Sequence, residues 1–264
     1  MAVDRRNFIK ITGLAALGGA AGKEAMDALA QSEAKFSPMD NALHGKRWAM
    51  AVDLKKCKKD NGCKDCIHAC HSVHNVPDFG NPKDEIKWIW REPYEKAFPD
   101  QENEFVPDDL LHASAPLLCN HCDNPPCVRV CPTQATWKRQ DGIVMMDWHR
   151  CIGCRYCIAA CPYGSRSFNW RDPRGADAEG KPYIKEQNPA FPTRMKGVVE
   201  KCTFCDERLA KGLKPACVEG CKQAALVFGD LDDPESEVRK LLRENFSIRR
   251  KPGLGTQPEV YYIV

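Results

Sequence analysis

Sixteen of the 264 residues are cysteines, and they fall into four groups of four. The groups are Cys57, Cys63, Cys66 and Cys70; Cys119, Cys122, Cys127 and Cys131; Cys151, Cys154, Cys157 and Cys161; and Cys202, Cys205, Cys217 and Cys221. Each ends in the same step, two cysteines separated by three residues. The third group is the most compact, C-x2-C-x2-C-x3-C followed by Pro162. The second also ends in Cys-Pro, at Pro132, with its middle gap widened to four residues. The first group widens its first gap to five residues, and the fourth its second gap to eleven. Clustered thiols can pair as disulfides, hold structural zinc, or ligate iron–sulfur clusters. Disulfide scaffolds are usually small secreted domains. Zinc sites more often use two C-x2-C knuckles with His in place of some Cys, and no group here has a His in a ligand position.

The spacing suits a [4Fe–4S] cubane. Three thiolates on a tight loop occupy three of its corners while backbone N–H groups point at its sulfurs. The fourth Cys, one helical turn further on, reaches a neighbouring cluster instead. Exchange of the fourth ligand between the second and third groups gives one cluster on Cys119, Cys122, Cys127 and Cys161, and another on Cys151, Cys154, Cys157 and Cys131. The same rule gives a third on Cys57, Cys63, Cys66 and Cys221, and a fourth on Cys202, Cys205, Cys217 and Cys70. Four clusters would use every cysteine and leave none for a disulfide or a catalytic thiol.

The elements that must hold these groups can be read around them. Thr136–Arg139, a turn at Gln140-Asp141-Gly142, and Ile143–Asp147 predict a β-hairpin between the second and third groups. Strand-like runs flank the outer groups, Trp48–Leu54 before the first and Ala224–Phe228 after the fourth. The expected fold is therefore α+β, two interlocked two-cluster ferredoxin-like units with long loop insertions. The inner unit spans 117–170; the outer combines 46–75 with 197–232. Residues 76–116 and 171–196 read as insertions, more simply surface loops than partner contacts, although Ile86–Arg91 alternates like a strand. Asp233-Pro234 reads as an N-cap with Pro at the first helical position, opening a short helix on Val238, Leu241 and Leu242 in a C-terminal segment, 233–264, that ends in the strand-like Val260–Val264.

The N-terminus carries a different signal. Arg5-Arg6-Asn7-Phe8-Ile9-Lys10 reads as a twin-arginine (Tat) export signal, although Asp4 stands where Ser or Thr is usual. Residues 11–22 follow without a charge; as a helix they would reach about 18 Å, short of the ~30 Å hydrocarbon core, so a signal peptide over 1–30 is favoured over an anchor. Ala28-Leu29-Ala30 is a candidate cleavage site. Export of a folded protein suits one that acquires its cofactor before leaving the cytoplasm. No later apolar run approaches the length of a span. The composition, 43% hydrophobic and 28% charged with a net charge of +3, argues against a disordered chain, a polytopic membrane protein and a nucleic-acid binder. No Walker loop, Rossmann glycine set or nucleophile elbow occurs, and no C-x2-C-H haem motif. His68, His71 and His74 recur every three residues beside Cys70 and read as a helix surface rather than a haem or quinone site. His121 reads as a donor to a ligand or a loop residue. Arg129, Arg150 and Arg155 sit next to ligands, where they would either raise cluster potentials or serve as ordinary surface charges.

Three stretches carry a resemblance: Arg150-Cys-Ile-Gly-Cys-Arg-Tyr-Cys-Ile-Ala-Ala-Cys-Pro-Tyr-Gly164, Ser167-Phe-Asn-Trp-Arg-Asp-Pro-Arg174, and Gly197-Val-Val-Glu-Lys-Cys-Thr-Phe-Cys205. Together with the quartets, they resemble, over residues 46–232, the four-cluster ferredoxin subunits of complex iron–sulfur oxidoreductases. They look most like the exported ferredoxin (DsrO) type of the Dsr membrane complexes of dissimilatory sulfur metabolism. The resemblance implies an electron-transfer subunit with four [4Fe–4S] clusters and no substrate site of its own. It would sit at the outer, periplasmic face of the cytoplasmic membrane as a peripheral subunit, Tat-exported. Its implied partners are an NrfD-type integral membrane quinone-reactive subunit, a multihaem cytochrome c and other Dsr complex subunits, and no nucleic acid. The alternative within the same family is the electron-transfer subunit of a molybdopterin oxidoreductase of the polysulfide, thiosulfate or tetrathionate reductase type.

Overall fold

The computed structural model describes residues 39–57, 62–101 and 103–264; the expected export signal over 1–30 lies outside them. Ten strands occur among the described residues: β1 (Trp48–Asp53), β2 (Ile89–Pro93), β3 (Ser114–Leu118), β4 (Thr136–Lys138), β5 (Val144–Met146), β6 (Ser167–Phe168), β7 (Val199–Glu200), β8 (Leu226–Asp230), β9 (Ser247–Ile248) and β10 (Val260–Ile263). Short helices alternate with them, so the fold is α+β. The largest sheet has the order β8-β1-β10-β9, and the other strands form the pairs β2–β3, β4–β5 and β6–β7.

β1 organises the large sheet because it is covered on both faces. Trp48, Met50 and Val52 alternate into the main core, and Ala49 and Ala51 point the other way. The small alanine face leaves room for the helix Glu237–Glu244, whose Val238 is fully buried against it, with Leu241 and Leu242 packed alongside. That helix begins later than the sequence suggests. Ser236 is its N-cap, its side chain accepting from the Arg239 N–H. Asp233 instead closes a turn on the Glu235 N–H; a capping oxygen is useful only where free N–H groups begin.

The strand-like runs around the outer groups pair with each other: β1 lies antiparallel to β8, with Met50 opposite Phe228, and Trp48 stacks on Phe228 at 5.0 Å. The C-terminal run becomes β10, parallel to β1. The expected hairpin forms as β4–β5, and Gly142 in its turn adopts φ +86°, a conformation glycine accepts without steric cost.

The 76–116 segment is not a surface loop. β2 pairs antiparallel with β3, and Ile86, Trp88, Ile89, Trp90 and Phe98 enter the main core. The 171–197 segment is turn-rich but anchored. Asn75 donates to the Asn188 and Phe191 carbonyls, and Phe191 is buried edge-on to Trp88. Apolar bulk decided both outcomes: Trp and Phe side chains each remove a large area from water, and segments carrying them fold inward.

Candidate metal centres

Three quartets share one local construction. The short helices Pro126–Arg129, Tyr156–Ala160 and Ala216–Glu219 carry the buried third cysteines Cys127, Cys157 and Cys217. Each chain then turns shortly after the fourth cysteine, with the residue three positions on in a left-handed conformation: Gln134 at φ 53°, Gly164 at 65° and Ala224 at 46°. The turn aims backbone donors at the sulfur, as where the Ala225 N–H meets Cys221 Sγ at 3.3 Å. In the first quartet the helix Asp65–Val73 instead runs straight through Cys66 and Cys70. It crosses the helix Ala216–Glu219 so closely that a Cβ on Gly220 would stand 2.4 Å from Ala69 Cβ.

These elements gather the cysteines into four sets. Cys119, Cys122, Cys127 and Cys161 line one enclosed cavity, and Cys131, Cys151, Cys154 and Cys157 line another. Cys221 lies within electrostatic reach of Cys57 and Cys66, which also feel Cys63. Cys70 feels Cys205, Cys217 and Cys202. The four sets stand in a row. Cys66 is close to Cys70 and Cys217, Cys202 to Cys119, and Cys127 to Cys157.

All sixteen thiols are free of disulfides. Burial, with neighbouring thiols adding to it, pushes Cys66, Cys122 and Cys202 up to about 12. Burial likewise drives Cys70, Cys205 and Cys217 well above an ordinary thiol. Cys131 goes the other way: burial is the largest influence on it, but donors from Thr136, Thr133 and Ala135 outweigh it and lower the thiol. Thiols this crowded cannot ionise together without a bound cation, and metal uptake would release their protons.

Four polar features fit a thiolate-held cluster. Asn120, 1% exposed and lining the cavity of the second set, has both side-chain atoms buried without a partner. Thr203 Oγ1, between Cys202 and Cys205, is in the same state. Both can donate and both are next to a cysteine in sequence, and buried donors are rarely left unpaired. Arg166 and Lys201, also buried beside cysteines, bring positive charge where thiolates would bring negative.

The sequence pointed to other charged residues. Arg129, Arg150 and Arg155 are all exposed. Arg129 donates to Asn124, Arg150 pairs with Asp147, and Arg155 lies over Trp170 at 4.8 Å. The cations that reach the quartets are Arg91, whose Nη1 donates to the Cys63 carbonyl at 2.7 Å, Arg166 and Lys201. The available signal was position: Lys201 directly precedes Cys202, and Arg166 follows Cys161 by five residues.

The histidines divide. His68 is exposed, and burial lowers His71 to about 4. His74 is fully buried, stacked on Trp88 at 4.6 Å, with its ring nitrogens against the Cys70 carbonyl at 2.7 Å and Glu207 Oε1 at 2.9 Å. With Cys205 these form a His–Cys–Glu cluster, part of the same centre as the fourth quartet. His121 is buried and stacks on Phe204 at 3.7 Å, and its Nδ1 accepts from the Val144 N–H.

The 4Fe-4S dicluster domain family matches residues 111–177 and again 178–231. Two such matches correspond to four [4Fe–4S] clusters, which the sixteen cysteines fit. The chain is 42% identical to the Hdr-like menaquinol oxidoreductase iron-sulfur subunit 1 of Archaeoglobus fulgidus, over 98% of this chain and 97% of that protein. It is 36% identical to the iron-sulfur cluster-binding subunit of the menaquinone reductase of Nitratidesulfovibrio vulgaris, over 82% and 88%. A tetrathionate reductase subunit of Salmonella typhimurium is 34% identical over 98% and 87%.

Proposed function

This chain belongs to the 4Fe-4S dicluster iron–sulfur subunits, and from that premise we propose that it carries electrons along its row of cysteine sets between a quinone-reactive membrane subunit and another redox subunit. A bound [4Fe–4S] cluster supplies one-electron transfer; the chain supplies the ligands, the spacing and the surroundings. Cys57, Cys63, Cys66 and Cys221 would hold the cluster at one end of the row. Cys70, Cys202, Cys205 and Cys217 would hold the next, then Cys119, Cys122, Cys127 and Cys161, and finally Cys131, Cys151, Cys154 and Cys157. The observation that carries this reading is that each fourth cysteine stands with a quartet other than its own. The same exchange supports two interlocked units, an inner one at 117–170 around β4–β5 and an outer one built from 46–75 and 197–232 around β1 and β8. The relatives carry the names of iron–sulfur subunits of oxidoreductases, and this chain has the same role, electron transfer without a substrate site of its own.

The finer reading is a Dsr-type complex, with an NrfD-type membrane protein, a multihaem cytochrome c and other Dsr subunits as partners, at the outer face of the cytoplasmic membrane after Tat export. It is supported by the paired arginines, the three resembling stretches, and a menaquinol oxidoreductase subunit matched along nearly the whole of both chains. No helix among the described residues is long and apolar enough to cross a membrane. A second reading, the same relay serving a molybdopterin reductase, is favoured by the match to the tetrathionate reductase subunit. Purification of the tagged protein from detergent-solubilised membranes separates them. Recovery with a membrane quinone-reactive protein and a cytochrome c supports the first reading; recovery with a large molybdopterin subunit overturns it.

A further inference from the structure

Four cations are almost wholly shut away from water. Arg194 is 2% exposed, Arg166 4%, Lys201 0% and Arg250 3%. An unpaired buried charge is costly, and the fold treats the four differently. Arg250 donates to the Ala97 and Tyr163 carbonyls and lies over the Tyr163 ring. Arg194 is neutralised by Glu200, itself 0% exposed, and is boxed by Trp88, Trp148 and Phe191. Among the described residues, no carboxylate lies within ion-pair distance of Arg166 or Lys201. Asp206 feels Lys201 but makes its ion pair with Arg139, at 3.7 Å.

Arg166 and Lys201 meet sulfur and backbone oxygen instead. Arg166 Nη2 donates to Cys127 Sγ at 3.1 Å and to Thr136 Oγ1 at 2.8 Å, and its guanidinium also feels Cys157 and Cys119. Lys201 Nζ donates to the Val144 carbonyl and, at 2.6 Å, to the Cys202 carbonyl, within reach of Cys119, Cys202 and Cys127. Each cation therefore stands where two sets meet. Arg166 lies between the set of Cys127 and the set of Cys157, and Lys201 between the set of Cys202 and the set of Cys119. The junction at Cys66, Cys70 and Cys217 is built differently, by the close helix crossing at Ala69 and Gly220.

We infer that Arg166 and Lys201 are fixed countercharges, each shared by two neighbouring clusters, which raise the reduction potentials of the three sets they touch; the set of Cys57, Cys63, Cys66 and Cys221 has its own cation, Arg91. The inference rests on the four-cluster reading. A thiolate-ligated cluster is an anion that becomes more negative on reduction, and its potential responds to nearby charge and to hydrogen bonds at sulfur. In a dry interior that response is much less screened than at a surface. Arg166 cannot lose its proton, so its contribution is constant; burial works against the charge of Lys201, and the neighbouring Cys119, Cys202 and Cys127 favour it. The cluster of Cys119, Cys122, Cys127 and Cys161 is adjacent to both cations and receives the largest effect.

EPR-monitored redox titration of the anaerobically purified, cluster-loaded protein tests this cluster by cluster. Arg166→Gln should lower the potentials of the two clusters on either side of Arg166, and Lys201→Gln those on either side of Lys201. Each affected cluster should change its reduced-to-oxidised ratio at fixed potential by at least tenfold, about 59 mV for one electron. The cluster of Cys57, Cys63, Cys66 and Cys221 should not move in either variant. Arg166→Lys and Lys201→Arg keep the charge and should keep potentials near the parent's; they also decide the matter if a Gln variant fails to assemble. Fully loaded Gln variants with unchanged potentials, equal shifts in all four clusters, or charge-keeping variants whose potentials fall as far as the Gln ones would overturn the inference. A parent protein without four clusters would instead overturn the reading beneath it, and its iron content reveals that separately.

Discussion

The set of Cys70, Cys202, Cys205 and Cys217 and the set of Cys131, Cys151, Cys154 and Cys157 draw on the same sequence step but inhabit different surroundings. In the first, every thiol is buried, and His74, Phe204 and the Arg194–Glu200 pair lie close behind. In the second, only Cys157 is buried, and Ile152 and Tyr156 on the same loop are 67% and 65% exposed. The thiols respond accordingly: burial drives Cys70, Cys205 and Cys217 well up, while hydrogen bonds bring Cys131 down. Ligand type is identical in the two sets, so burial, hydrogen bonding and local charge are what the fold has available to make two clusters behave differently.

That contrast can be broken most completely at Cys161, which lies in the third sequence quartet but lines the cavity of the second. Cys161→Ser should remove or cripple the cluster on Cys119, Cys122 and Cys127 and leave the rim set of Cys131, Cys151, Cys154 and Cys157 intact, as resolved by EPR. Loss of the rim signal alone would mean that the fourth ligands are not exchanged. Behind the deep set, Glu200→Gln leaves Arg194 buried without its counter-ion, a loss of about 3–5 kcal/mol. The denaturation midpoint should fall and the deep cluster should be lost with the fold. A smaller effect is expected where the deep set meets the first. Gly220→Ala drives a methyl into Ala69, an overpacking that costs about 1–3 kcal/mol, visible as a lower midpoint with the rim cluster unchanged. Val238→Ala, beneath β1 and away from every quartet, should cost about 1–2 kcal/mol and leave the spectra of both sets as they were.

The cysteines were legible in the sequence because ligand spacing is local: one helical turn separates the third cysteine from the fourth wherever the helix lies. The β4–β5 hairpin and the strands beside the outer quartets were legible for the same reason. What escaped depends on contacts between distant residues. Trp88 and Phe98 sit in a stretch punctuated by Pro and acidic residues that reads as a loop until β2 finds β3. The C-terminal run reads as a strand, but nothing in it announces that it will lie parallel to β1 at the other end of the chain. Arg166 and Lys201 escaped because Arg and Lys are almost always exposed unless paired. Arginines directly beside ligands, such as Arg150 and Arg155, are the more conspicuous in sequence, and the fold turns them outward.

The central claim is that sixteen cysteines, grouped by exchange of their fourth members, hold four clusters of one kind. Iron analysis combined with Mössbauer spectroscopy of the protein purified without oxygen tests it most directly. About 16 iron atoms per chain are expected, all in [4Fe–4S] clusters, and no stoichiometric zinc. Iron for only two clusters, or zinc bound in place of iron, would contradict it.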